Sequence, residues 1–301
     1  MTGTQNSEPV RRPREIEELT NYFVIHPLAG RLTPLFAALH IPPNAVSLAG
    51  MSFGVLAAVA YYHYQDIRYA VAGFILMIAW HVMDGADGQL ARLTHSQSQT
   101  GKILDGVCDY VTFIAVYVAL AAALSRTMGE WVWGLVAASG VCHAFQSAAY
   151  EVQREEYACF VWGRQSAQPL GPDRLPQRGS SSPPASGLFQ VLYRLYVQVQ
   201  FQVAGVSVEF HKRLTMLLQR KPERAASVRQ RYRETFAPAV RRWSVLSSNY
   251  RTLGIFISAL LGAPQYYFEF EILGFSAILA LLKFGQRARY AQFFRSLEPM
   301  A

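Results

Sequence analysis

Four aspartates, Asp84, Asp87, Asp105 and Asp109, fall within 26 residues of otherwise apolar sequence. The runs beside them, AVAGFILMIAW before the first pair and VTFIAVYVALAAAL after the second, belong to segments long enough to lie in lipid. An ionised carboxylate at membrane depth is costly, and it persists only when paired, hydrated or bound to a cation. Helical spacing offers a common arrangement for all four. Asp84, Asp87, Gly88 and Ala91 stand at i, i+3, i+4 and i+7 and share one helix face, while Gly101, Asp105 and Asp109 stand at i, i+4 and i+8 and share another. Only the eight residues Leu93 to Thr100 link Arg92 to Gly101, and their Ser, Thr and Gln content suits a connection between antiparallel helices. The two acidic faces are therefore expected to meet near a membrane surface. Gly88, Ala91 and Gly101 leave room for a backbone or a ligand to come close. The expected product is a cage of carboxylate oxygens, the donor set that hard divalent cations such as Mg²⁺ or Mn²⁺ prefer; two such ions bridged by carboxylates can bind and polarise a diphosphate.

The pattern Asp84-x2-Asp87-Gly88-x2-Ala91-Arg92-x8-Gly101-x3-Asp105-x3-Asp109 resembles the complete signature of the CDP-alcohol phosphotransferase (CDP-alcohol phosphatidyltransferase) family, with all eight positions filled at the family's spacing. The resemblance implies an integral membrane enzyme of phospholipid biosynthesis. Such an enzyme cleaves the diphosphate of a CDP-alcohol, commonly CDP-diacylglycerol, joins the phosphoalcohol to the hydroxyl of a small alcohol or polyol and releases CMP. It implies Asp84, Asp87 and Asp105 as metal ligands, and Asp109 as a ligand and also the general base that takes the acceptor's proton. Asp84, Gly88, Ala91, Arg92 and Gly101 would shape the nucleotide and diphosphate site. Mg²⁺ or Mn²⁺, as two ions, is the implied cofactor, and a homodimer the implied assembly. Inositol, inositol phosphate, glycerol phosphate, serine and diacylglycerol all serve as acceptors within similar family frameworks.

At 301 residues, 51% hydrophobic and 16% charged, the chain is too apolar for an ordinary soluble domain yet carries long polar segments. The expected fold is an all-α integral membrane protein with six transmembrane helices and an N-terminal interfacial amphipathic helix. Length places the spans at 45–63, 69–92, 102–125, 130–152, 247–262 and 267–284, the fifth being short. An even number of spans puts both termini on one side. Of 28 Lys and Arg, only Arg68 and Arg126 sit in the three loops on the other side, so the positive-inside rule assigns both termini, the 93–101 loop and the long 153–246 segment to the cytoplasm of a cell membrane. Soluble nucleotides are made there, and the topology agrees with the chemistry. The formal charge of +8 is read as membrane orientation, with no nucleic-acid partner. Cys108, Cys142 and Cys159 lie in or beside apolar sequence and outline no disulfide framework.

Four regions follow: 1–44, a cytoplasmic tail and interfacial helix; 45–152, the first four spans with the aspartate motif; 153–246, a basic cytoplasmic insertion, partly disordered and partly amphipathic helix; and 247–301, the last two spans and a cytoplasmic tail. Residues 1 to about 18 are polar and lack the apolar core of a signal peptide. Residues 19–40 are amphipathic and interrupted by Pro27 and Pro34, which suits a segment lying in the interface. In IPPNAVS, Asn44 either caps the first span or, as the family resemblance implies, faces the nucleotide. The segment from Arg154 to Arg242 holds 15 Lys and Arg against 6 Asp and Glu, and is longer than the connection expected of the family. Its stretch 164–187 has the Pro, Ser and Gly content of a mobile loop. From Leu188 to Leu217 apolar residues recur at helical spacing, although Tyr196–Val203 alternates like a strand; a helix lying on the anionic leaflet is favoured, with an oligomer contact as the rival.

Several polar residues carry two readings. His81, one turn before Asp84, either touches a metal or phosphate or is packed and hydrogen-bonded in the core, and His95 and His143 are read alike. Arg92 and Lys102 bracket the aspartate loop; the resemblance assigns function to Arg92, whereas Lys102 reads as a marker of the membrane edge. Arg154 and Arg164 would hold an acceptor phosphate if the acceptor carries one. Trp131, Trp133, Tyr266 and Tyr267 read as interfacial anchors. Other chemistries use similar acids. An intramembrane prenyltransferase usually carries its two acidic motifs far apart in sequence, and a divalent-cation transporter has no need for the Gly88, Ala91, Arg92 and Gly101 set. A CDP-aminoalcohol or CDP-polyol donor, with a lipid or polyol phosphate acceptor, is the nearer alternative.

Overall fold

Polar residues at the chain's breaks start the helices. The computed structural model describes residues 14–163 and 199–297, and within them all regular structure is helical, without a strand. After a short 3₁₀ turn at Arg14–Ile16 and a π turn at Asn21–Ile25 come α1 (His26–Ala38), α2 (Pro43–Tyr62), α3 (Ile67–Leu93), α4 (Gln99–Met128) and α5 (Trp131–Trp162). Beyond the undescribed stretch lie a helical turn at 199–204 and α6 (Val208–Arg220), α7 (Ala225–Trp243), α8 (Ser248–Leu260), α9 (Gln265–Phe270) and α10 (Ser276–Leu297). Asp66 caps α3 by accepting from Arg68 N at 2.9 Å, and the Ser98 hydroxyl caps α4 by accepting from Gly101 N at 2.9 Å. Pro42, extended at φ −71° and ψ 149°, and Pro43 in the first turn begin α2. Gly129, at φ +90°, supplies the left-handed turn that separates α4 from α5.

Helices occupy all six expected span positions. Three of them, α2, α3 and α4, are long and apolar enough to cross a membrane among the described residues. Their outward faces carry exposed Leu56, Val59, Ile75, Ile103 and Ile114, as segments bathed in lipid tails would. At 13 residues α8 is about 20 Å long, short of the hydrocarbon thickness. The sixth position is one helical run from Gln265 to Leu297 that passes through a π segment at Glu271–Phe275.

The chain divides into two units, and α5 runs from the first into the second. The first takes the described residues within Met1–Val141 together with Ser248–Ile272. In it α2 packs along both α3 and α4, and glycines allow the close approach. A Cβ on Gly54 would meet Thr112 at 2.4 Å, and one on Gly50 would meet Met83 at 3.1 Å. Helix α1 lies against α3 through Ile25 and Ala29, which pack with Val82, Ala86 and Leu90. Its other side leaves Leu28 and Leu35 exposed, as are Phe23 before it and Leu39 after it. Asn249 of α8 ties the N-terminal segment down by donating to Glu18 at 2.7 Å and to Asn21 at 2.8 Å.

A buried ion pair holds the far part of this unit. Arg251 Nε donates to Glu271 Oε1 at 2.9 Å, both residues fully buried, and Tyr267, Tyr117 and Ser139 direct their hydroxyls to the same carboxylate. Every lone pair of the charge is thereby engaged, which is the condition for keeping it in an apolar interior. Tyr267 is thus a core residue, 3% exposed, and not an interfacial anchor, whereas Trp131, Trp133 and Tyr266 are exposed as expected.

The second unit takes the described residues within Cys142–Ser247 together with Leu273–Ala301. Its core is aromatic: Phe210 of α6, Tyr232 and Phe236 of α7, and Tyr290 and Phe293 of α10 pack ring against ring. Gln153 of α5 donates to the carbonyl of Ala204 at 2.8 Å and accepts from Gln286 at 2.9 Å. The helix expected between Leu188 and Leu217 is present at 199–204 and in α6, but it is not continuous. Gly205, at φ +68°, breaks it, and Ser207 caps the restart by accepting from Phe210 N at 3.1 Å. The Pro-, Ser- and Gly-rich stretch 164–187, with Arg164, lies outside the described residues.

Candidate metal and active site

The site is built within the first unit by α2, α3 and α4. Helical periodicity turns Asp84 and Asp87 of α3 and Asp105 and Asp109 of α4 to a common side, where α2 presents Ser47 and Gly50. Carboxylate oxygens of Asp84, Asp105 and Asp109 lie within 4.8 Å of one another, and all three residues are half-buried. Like charges at that separation repel, more strongly as the surroundings become less polar. A cation among them removes the repulsion, and an all-oxygen donor set is the one Mg²⁺ and Mn²⁺ take. The donors present therefore fit the divalent ion expected from the spacing.

Asp87 stands outside that triad but faces the same small cleft, which Ser47, Gly50, Trp80 and Cys108 complete. It is 5% exposed, and the Ser47 hydroxyl donates to its Oδ2 while Ser47 also reaches the Pro43 carbonyl at 3.2 Å. Nothing in the sequence alone distinguishes Ser47 from the small residues around it. It stands one turn after Pro43, at the start of the helix that packs on both acidic helices.

Around the acids the remaining expected residues fall as follows. Gly88 lies under the Arg92 guanidinium, since a Cβ there would be 3.4 Å from Arg92 Nη1, so Arg92 folds back over the acidic face of its own helix. Asn44 sits in the first turn of α2 without capping it, which removes the capping reading. Instead its side chain approaches Gly101, where a Cβ would stand 3.4 Å from Asn44 Oδ1. Ala91 is half-buried on α3, one turn beyond Gly88. Lys102 and His95 are exposed. His81 takes the packed alternative: it is 4% exposed, bonded to Thr252 Oγ1 at 2.9 Å and set against the Trp80 ring at 4.3 Å. Arg154 pairs with Glu151.

Comparison with known proteins points the same way as this geometry. The family model for CDP-alcohol phosphatidyltransferase matches residues 40–198, which include all four aspartates. The chain is also similar to a protein of Dictyostelium discoideum named "Uncharacterized CDP-alcohol phosphatidyltransferase class-I family protein 2". The two are 28% identical over 107 residues, 33% of this chain and 25% of the relative. The match thus spans about a quarter of that relative's length.

Proposed function

Since the chain belongs to the CDP-alcohol phosphatidyltransferase family, we propose that it transfers a phosphoalcohol group from a CDP-alcohol, CDP-diacylglycerol in the first instance, to the hydroxyl of a small alcohol or polyol and releases CMP. The observation that carries this reading is the convergence of the Asp84, Asp105 and Asp109 carboxylates within 4.8 Å beside a cleft that α2, α3 and α4 line together.

In the reaction the acceptor oxygen forms a bond to the phosphorus that carries the alcohol, the diphosphate P–O bond breaks, and CMP departs with the electron pair. Asp109 takes the proton that the acceptor hydroxyl loses, a task for which an ionised carboxylate within hydrogen-bond reach suffices. Asp84, Asp105 and Asp109 would hold Mg²⁺ or Mn²⁺, with Asp87 as the fourth acid of the set. Such an ion supplies Lewis-acid stabilisation of the negative charge that develops on the phosphoryl oxygens. Ser47 fixes the orientation of Asp87, and Arg92, folded over Gly88, presents its guanidinium to the diphosphate. Asn44 and Gly101, which lie side by side, would face the nucleotide.

We further propose that six spans cross a cell membrane with both termini and this site on the cytoplasmic side, and that the protein works as a homodimer. The exposed apolar side of α1 supports an interfacial position for that helix. The region 45–152 forms the catalytic membrane domain, 153–246 a basic cytoplasmic insertion, and 1–44 and 247–301 the flanking parts. The test is CMP release by the detergent-solubilised chain with CDP-diacylglycerol and Mg²⁺ or Mn²⁺ across a panel of alcohols. Release that depends on one acceptor and stops on chelation names the substrate. Release only from a CDP-aminoalcohol or CDP-polyol replaces the donor, and no release from any CDP-alcohol overturns the assignment.

A further inference from the structure

The second unit contains a cavity of about 890 Å³ whose lining includes none of the four aspartates. One wall is the turn around Gly205 with the start of α6, which brings Gln202, Glu209 and Arg213; the other is α10 from Lys283 onward, with Arg287 and Arg295. The inner surface is formed by Phe210, Tyr290 and Phe294. Four cations thus line the cavity against one carboxylate.

None of these four cations has an ion-pair partner among the described residues. Arg154 is paired with Glu151 and Arg231 with Glu234. Two of the four are nonetheless held in place. The Arg213 guanidinium lies over the Phe294 ring at 4.5 Å, a contact that fixes the planar group while leaving its N–H edges available. The Lys283 stem crosses Gly205 so closely that a Cβ on that glycine would stand 2.7 Å from Lys283 Cγ. Gly205 is therefore needed twice, for its φ of +68° and for the passage of the lysine. Four cations collected around one cavity, outnumbering its single carboxylate Glu209, are arranged for an anion that comes from outside.

We propose that this cavity binds a phosphate monoester carried on a hydroxylated group. Arg213, Lys283, Arg287 and Arg295 hold the dianionic phosphate, while Gln202, Glu209 and the Tyr290 side face the hydroxyls of the carrier. The volume, within the range of sites for small organic ligands, exceeds the need of a bare phosphate. Two sources present this chemistry, a soluble phosphate ester and a phospholipid headgroup. Exposed Leu281 and Phe284 beside Lys283 offer an apolar surface along which acyl chains of the second would lie.

The experiment is a calorimetric titration of the full chain in neutral detergent with inorganic phosphate, glycerol 3-phosphate and a short-chain phosphatidic acid, with short-chain phosphatidylcholine as the zwitterionic control. The same titrations are run on Arg213→Gln/Arg287→Gln/Arg295→Gln, on Lys283→Met, and on Asp105→Asn. Lys283→Met keeps the stem against Gly205 and so tests the charge even where the triple substitution does not fold. Binding of glycerol 3-phosphate, at least about tenfold weaker in the triple variant, weaker in Lys283→Met and unchanged in Asp105→Asn, establishes the site with a soluble ester as sufficient ligand. The same pattern with phosphatidic acid alone establishes it as a headgroup site. Absence of binding by any phosphate monoester, or binding that Asp105→Asn removes and the basic substitutions leave intact, overturns the proposal without touching the transferase assignment.

Discussion

Ser47 is the side chain on which the orientation of Asp87 rests. Its hydroxyl sits between the Pro43 carbonyl and the carboxylate, so it passes the position of the α2 backbone to an acid of α3. Groups that orient metal-binding ligands commonly change affinity by about ten- to a hundredfold when removed. Ser47→Ala is accordingly expected to weaken divalent-ion binding about tenfold, read from Mn²⁺ titration by electron paramagnetic resonance, with the helical content unchanged. The four aspartates were legible in the sequence because charge in apolar surroundings is conspicuous and because i+3 and i+4 spacing fixes a shared face. Ser47 was not, since a serine among Ala, Val and Gly reads as a small filler until the register of α2 against α3 is known. Asn44 shows the converse. Its place at a helix start invited the capping reading, but a proline begins the helix and leaves its amide directed toward Gly101.

Among the elements, α8 departs most from expectation. It is too short to cross a bilayer unaided, and what stabilises it is polar: Asn249 holds the N-terminal segment, Thr252 meets His81, and Arg251 is buried on Glu271. Hydropathy reveals where such a helix lies but says nothing of a buried ion pair, whose partners are 20 residues apart across a turn. Tyr267 departs from expectation for the same reason, because an aromatic near a span's end resembles an anchor until its hydroxyl finds a buried carboxylate. Arg251→Met strands Glu271 as a charge without its cation, and the expected cost is about 3–5 kcal/mol, measured by chemical denaturation in detergent. Arg251→Met/Glu271→Leu removes both charges and is expected to recover most of that loss. An Arg251→Met protein as stable as the parent would refute the role assigned to the pair. Helix α2 was read more simply, as a span, and its further role in spacing α3 from α4 follows from Gly50 and Gly54, which the sequence offers only as small residues.

For the whole molecule, the proposed topology and the proposed reaction depend on each other, since a cytoplasmic nucleotide must reach the acids. In a chain with Cys108, Cys142 and Cys159 replaced, Ser96→Cys is expected to resist a membrane-impermeant maleimide in intact cells and to react after lysis, while Gln65→Cys reacts in both. Labelling of Ser96→Cys from outside would invert the topology. The helical architecture was legible because lipid-length apolar runs leave few alternatives to helices, whereas the division into two units and the basic cavity of the second were not, as they depend on packing between segments distant in sequence. The central claim is that Asp109 removes the acceptor's proton at a carboxylate cluster built for phosphoalcohol transfer. It is tested most directly by measuring acceptor-dependent CMP formation and CDP-diacylglycerol binding in the same preparations of the parent protein and Asp109→Asn. The account predicts a fall of at least about a hundredfold in CMP formation with donor affinity retained; CMP formation by Asp109→Asn at the parent rate would contradict it.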